Sequence, residues 1–151
     1  MKEKPKKENI YDGSWESSLL FKARTDSLEV NEKKKRWGGE IDTCGKCGRN
    51  DDRPVETIEH LLTECCAYEE ERLTFNEKME NKLGHEDWTR SKTGNDKGLK
   101  IMLGLEGDRK EVIEDTKRYL KEVWKKRNMK DKKTRNRRVD EHNYTRRNNE
   151  R

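Results

Sequence analysis

Apolar residues are scarce in this chain. Only 27% of its 151 residues are hydrophobic, against ~45–50% apolar in ordinary globular chains on a count that includes glycine. No window holds the ~18–20 consecutive apolar residues that a membrane-spanning helix requires. No apolar stretch follows Met1, so no secretion signal is read. Alternating β-branched runs are missing too, which leaves no strand signal. Ser14, Ser17, Ser18, Ser27 and Ser91 lack a recognisable His and Asp arrangement for nucleophilic catalysis. These absences exclude a large two-layer enzyme core and a membrane span. They leave a small core held by something besides bulk burial.

What fills the sequence instead is charge, at 46% of residues against ~25% in an average domain. The net charge of +5 is unevenly spread. Residues 125–151 carry 12 Lys/Arg and 4 Asp/Glu, a balance of +8, and residues 1–9 carry +2. Residues 40–80 hold 5 basic and 12 acidic residues, a balance of −7. Of the ends and the cysteine region, only the ends therefore suit a phosphate backbone.

The hydrophobic pattern predicts an all-α fold. Leu20, Arg24 and Leu28, four apart, suggest a helix within 16–30, followed by a charged turn over 31–39. A helix starting near Val55 buries Ile58, Leu61, Leu62 and Cys65. It either breaks near Cys66 or runs on through Phe75 and Met79 to Leu83, where Gly84 stops it. Residues 85–98 read as a polar loop, and His85-Glu86-Asp87 as a solvated turn. Val112, Ile113, Thr116, Leu120, Val123, Trp124 and Arg127 form the stripe of a last helix. Glu114, Asp115, Lys117, Arg118, Lys121 and Glu122 are expected to face water. The expected organisation is a disordered N-terminus over 1–12, a helical module over 13–127 and a disordered basic tail over 128–151.

Four cysteines are present: Cys44, Cys47, Cys65 and Cys66. Without a secretion signal, an intracellular reducing compartment is expected, which argues against a disulfide framework. Asn143-Tyr144-Thr145 is then a chance glycosylation match. Cys44, Cys47, His60 and Cys65 follow C-x2-C-x12-H-x4-C, a set that zinc accepts as a closed tetrahedral structural site. On an ideal helix His60 and Cys65 stand about 140° apart and His60 and Cys66 about 240°. Cys65 is thus the preferred fourth ligand, at the cost of a local distortion or helix end. Cys66 is a second choice or a small buried hydrophobe. A structural zinc contributes roughly 10–16 kcal/mol of apparent free energy at neutral pH, the kind of staple that a thin core needs.

The run Cys44-Gly-Lys-Cys47-Gly, then Glu56-Thr57-Ile58-Glu59-His60-Leu61-Leu62-Thr63-Glu64-Cys65, then Tyr68 and Glu70-Glu71-Arg72, resembles the zinc-binding segment at the C-terminal end of non-LTR retrotransposon reverse transcriptases. Leu19-Leu20-Phe21-Lys22-Ala23-Arg24-Thr25 resembles that family's lead-in. Leu103-Gly104 and the helix through Tyr119-Leu120 to Trp124 and Arg127 resemble its close. The resemblance covers about residues 16–128. It implies a CCHC zinc knuckle with Cys44, Cys47, His60 and Cys65 as ligands, in a family whose members bind element RNA or target DNA. The polymerase signature Tyr-x-Asp-Asp and an endonuclease carboxylate cluster are missing, so a non-catalytic fragment, truncated copy or reused piece is expected.

Three functional readings compete. In the first, the basic tail binds RNA or DNA without sequence preference through Lys132, Lys133, Arg135, Arg137 and Arg138, in a nuclear or cytoplasmic ribonucleoprotein. In the second, the acidic knuckle docks on a reverse transcriptase or another protein partner, and an exposed aromatic patch involving Trp15, Trp37 or Trp88 would mark it. In the third, the segment is a single DNA-reading ββα finger, which Glu56 and Glu59 at the helix start disfavour.

Overall fold

The computed structural model describes residues 10–48, 52–92, 95–105 and 110–148, with backbone alone for 92, 95–97 and 130–148. Its elements are helices with no named strand among the described residues, as an all-α fold requires. The helices are α1 (Trp15–Arg24), α2 (Asn31–Arg36), α3 (Glu69–Leu83), α4 (His85–Lys92), α5 (Asn95–Met102) and α6 (Lys110–Asn148).

Helix α1 begins where Ser14 accepts a hydrogen bond from the Ser17 amide at 3.1 Å, the side-chain cap that satisfies an otherwise orphaned donor. Asp12 supports this turn through the Ser14 amide at 2.9 Å and the Ser17 hydroxyl at 2.6 Å. Ile10 is buried with the core. Residues 10–12 thus belong to the folded body rather than to a disordered N-terminus, and residues 1–9 lie outside the described residues. The helix stops sooner than Leu28. Asp26 takes φ 55° and the Ser27 amide donates back to the Lys22 carbonyl at 2.8 Å, the closing bond of a Schellman turn. Leu28 and Val30 remain buried in the connection. The charged segment that follows is not merely a turn: it contains the six-residue α2.

Helix α6 is the pole of the molecule. Helices α1 and α3 both pack on it, and α4 bridges α3 and α5. Val112, Thr116, Leu120 and Val123 are buried along it as their spacing predicts. Two partners need two buried faces, so Tyr119, Asp115 and Lys117 are buried as well. Phe75 stacks on Tyr119 with centroids 4.8 Å apart and meets Trp88 edge-on at 6.1 Å. The Tyr119 hydroxyl donates to the Leu62 carbonyl at 2.6 Å. Asp115 takes Lys82 at 2.6 Å, and Lys117 takes Glu114 at 3.1 Å. The expectation that Asp115 and Lys117 face water is corrected on this ground.

Two further expectations change. The polar stretch 85–98 folds as α4 and the start of α5, because Trp88 and Ser91 give it a buried side. Helix α6 continues past 128 to Asn148 where a disordered tail was expected. Residues 108–151 contain neither glycine nor proline. No glycine or proline therefore breaks the i to i−4 ladder between Lys110 and Asn148.

Glu56, just before the first turn after the knuckle, is buried and paired with Arg127 of α6. The Arg127 Nη2 and Nε atoms reach Glu56 Oε1 at 2.6 Å and 3.1 Å. Asn31 joins them, its amide donating to Glu56 Oε1 at 2.9 Å and its Oδ1 accepting from Arg127 at 3.1 Å. Removing one member strands the other charge in a low-dielectric setting. Arg127→Ala is expected to lower the unfolding free energy by about 3–5 kcal/mol, read as a shift of the urea midpoint. An unchanged midpoint would show that the pair contributes nothing.

Candidate metal centre

The knuckle is a loop pinched at its base. Thr43 and Val55 form an isolated antiparallel bridge. The Cys44 amide donates to the Pro54 carbonyl at 2.8 Å and the Glu56 amide to the Asp42 carbonyl at 2.8 Å. Gly48 sits at φ 71°, and a Cβ there would fall 2.8 Å from the Asp52 carbonyl oxygen. Only glycine closes the turn after Cys47 without moving backbone. One bridge is not a hairpin, so among the described residues the ββα finger reading has no hairpin to rest on.

After the knuckle the Thr57 hydroxyl caps the chain, accepting from the His60 amide at 3.0 Å. The helical turn is then wide. His60–Glu64 is a π-turn, closed by the Cys65 amide donating to the His60 carbonyl at 2.7 Å. In a π-turn the bond runs from i to i+5, so five residues make close to one full turn. That winding brings His60 and Cys65 to the same side, where an α-helix would hold them about 140° apart. Cys65 itself is extended, at φ −59° and ψ 123°, which ends the turn before the Cys66–Tyr68 3-10 segment and α3. Of the two possibilities left open past Cys66, the break is the one observed.

The ligand atoms of Cys44, Cys47, His60 and Cys65 all lie within 4.8 Å of one another, a set that can hold a metal ion. Cys65 Sγ is 3.8 Å from Cys44 Sγ and 3.6 Å from Cys47 Sγ. Tetrahedral zinc with ~2.3 Å Zn–S bonds separates its sulfurs by ~3.8 Å. His60 Nε2 is buried without a hydrogen-bond partner. A buried ring nitrogen is costly unless something accepts its lone pair. On the opposite side of the ring, Nδ1 lies 3.3 Å from Glu64 Oε2. A carboxylate there holds the ring as the Nδ1–H tautomer and aims Nε2 at the cluster, the usual outer partner of a ligating histidine. Burial pushes the Cys65 thiol up to about 12 and raises Cys47 as well. A cation at the centre reverses that penalty, since the thiolate is the ligand form.

Around the cluster, Arg72 donates to the Cys65 carbonyl at 3.0 Å. The Lys46 ammonium hydrogen-bonds the Tyr68 hydroxyl and lies 4.5 Å from that ring's centroid. Burial raises the Tyr68 phenol, which stays protonated. Cys66 lies outside the four-donor set and is exposed rather than a buried hydrophobe. The side chains of Lys132, Lys133, Arg135, Arg137 and Arg138 lie outside the described residues, while their backbone belongs to α6. Sequence reasoning did not find the Glu56–Arg127 pair. Both residues stood in the pattern, 71 positions apart, and nothing local links them.

Comparison with models of protein families, with curated proteins and with solved structures gives no match.

Protons compete with a metal for thiols. The metal content of the purified chain, one ion per molecule at pH 7, is expected to fall on dialysis toward pH 5, with parallel loss of helical circular dichroism. Cys44→Ser and His60→Ala are expected to lose the ion at pH 7 and to melt with the chelated protein. Full melting stability in either variant would remove the assignment.

Proposed function

We propose that the chain is a zinc-organised, non-catalytic module that binds RNA or DNA through its basic C-terminal helix. In this reading it corresponds to the zinc-binding C-terminal region of a non-LTR retrotransposon reverse transcriptase. The observation that carries the metal half is the convergence of three sulfurs and the unpartnered His60 Nε2. Zinc suits that donor set, and four protein ligands leave no position for water or substrate. Such a centre is structural: it ties the knuckle to the turn that leads into α3. The Glu56–Arg127 pair then fastens the knuckle to α6 at the point where the basic stretch begins.

The nucleic-acid half rests on charge and chain direction. Residues 125–151 carry +8, and α6 carries most of them away from its buried segment as one helix. Lysines and arginines so arranged gain affinity by releasing counterions from phosphates, with little sequence preference. Lys132, Lys133, Arg135, Arg137 and Arg138 are the proposed phosphate contacts. The acidic knuckle is kept off the phosphates by its own charge.

The protein-docking reading draws support from a different observation. Trp37 and Ile41 are 63% and 65% exposed in the turn that enters the knuckle, and Trp15 is partly exposed, whereas Trp88 is buried. Exposed apolar side chains of this size suit a protein partner such as the polymerase that the family resemblance implies.

A chain ending after Arg127 retains the Glu56 lock and separates the two readings. If five phosphate contacts are lost, the slope of log K against log salt on duplex DNA is expected to flatten by about 4–5. Fluorescence anisotropy with DNA and RNA duplexes reads this. An unchanged slope and affinity would refute nucleic-acid binding by the tail and favour protein docking.

A further inference from the structure

The fourth cysteine is placed for chemistry that the metal site does not use. Cys66 Sγ is 3.3 Å from Cys47 Sγ, closer than Cys65 Sγ at 3.6 Å. It also lies 3.8 Å from the Lys46 carbonyl, so it rests against the knuckle. Cys47 therefore stands between two neighbouring sulfurs of opposite setting. The extended backbone at Cys65 turns consecutive side chains to opposite sides. Cys65 points inward and is fully buried, whereas Cys66 points to solvent. Cys44 is buried like Cys65, and Cys47 is partly covered. A small oxidant from solvent meets Cys66 first.

We infer that Cys66 is the entry point of a thiol–disulfide switch: an organic disulfide oxidises Cys66 and Cys47 to a bridge and so withdraws Cys47 from the metal centre. This rests on the metal-centre reading, and it is independent of any binding to nucleic acid.

The chemistry balances in two displacements. The Cys66 sulfur attacks one sulfur of RSSR, forming a mixed disulfide and expelling RS⁻, which takes the Cys66 proton. The Cys47 thiolate then attacks the Cys66 sulfur, and the second RS⁻ leaves and takes a proton from solvent. The protein loses two electrons and RSSR is reduced to two RSH. Closing the contact to a bond requires the sulfurs to approach by about 1 Å, a movement within side-chain reach. Cys44, His60 and Cys65 then remain as three donors, so the ion is released into solution. A reductant reverses the bridge and restores the four-donor set.

The test uses the full chain with zinc and oxidised glutathione as the probe. Metal content is measured before the oxidant is added. Release is then followed with a chromophoric chelator, and the disulfide is mapped by fragmenting the linked peptides. The wild-type chain is expected to form a Cys47–Cys66 bridge and to lose its zinc, with dithiothreitol restoring binding. Cys66→Ser, at an exposed position, is expected to bind one zinc and to release it at about one tenth of the wild-type rate or slower, since the oxidant has lost its accessible thiol. A bridge between Cys47 and Cys65 or between Cys44 and Cys65, or equal release from Cys66→Ser, would overturn the inference. So would a Cys66→Ser chain that binds no zinc, because Cys66 would then be a ligand. A wild-type chain without metal at the outset defeats the metal-centre reading instead. The disulfide map of that metal-free chain still decides whether Cys66 pairs with Cys47.

Discussion

The structure depends on one wide turn. His60 and Cys65 face the same point because the chain between them is wound as a π-turn rather than an α-turn. A π-turn forgoes the better-packed i to i−4 geometry and occurs mainly where function holds it. Here the gain is convergence of the His60 ring with three sulfurs, its Nε2 buried and without a hydrogen-bond partner. Relaxed to an α-helix, the turn would swing Cys65 away, leaving a buried ring nitrogen facing thiols alone. The extended Cys65, the break before α3 and the exposure of Cys66 all follow from how that turn ends.

From this centre the rest of the fold is reached by a few long-range polar links laid over a thin apolar core. Tyr119 on α6 is tied to the Leu62 carbonyl inside the wide turn. Arg127, two turns further along α6, is tied to Glu56 at the foot of the knuckle. Arg24 on α1 donates to the Leu103 carbonyl at 2.7 Å, ahead of α6. Each link satisfies a buried backbone or charged group that would otherwise cost free energy. In a chain with so few apolar side chains, such links keep the segment of the candidate metal centre in register with the long helix.

The same economy shapes how the chain meets its surroundings. The knuckle region is acidic and compact, while the basic charge is carried outward along one uninterrupted helix. A chain built this way keeps its acidic and basic segments apart in the sequence. In the proposed function the metal centre stabilises the body, and the basic helix approaches a polyanion without bringing the acidic body against it. Cys66, outside the four-donor set and beside Cys47, is the exposed cysteine of the four.

Local pattern was enough for several features. The donor set Cys44, Cys47, His60 and Cys65 is a matter of spacing, and the buried face of Ile58, Leu61 and Leu62 is a matter of period. The lack of a named strand among the described residues and the stripe from Val112 to Val123 were legible for the same reason: each depends on residues within a turn or two. Other features were decided in three dimensions. Asp26 could stop α1 only by adopting positive φ, which its neighbours' hydrophobic spacing does not encode. The polar stretch 85–98 became helical because Trp88 found Phe75 across the core. Asp115 and Lys117 were buried because α6 serves two packing partners, and a periodic pattern counts only one face. The preference for Cys65 over Cys66 could be argued from helix angles, but what brings Cys65 home is the i to i+5 winding. The Glu56–Arg127 pair, 71 residues apart in the chain, exists only once the knuckle and α6 have been brought together.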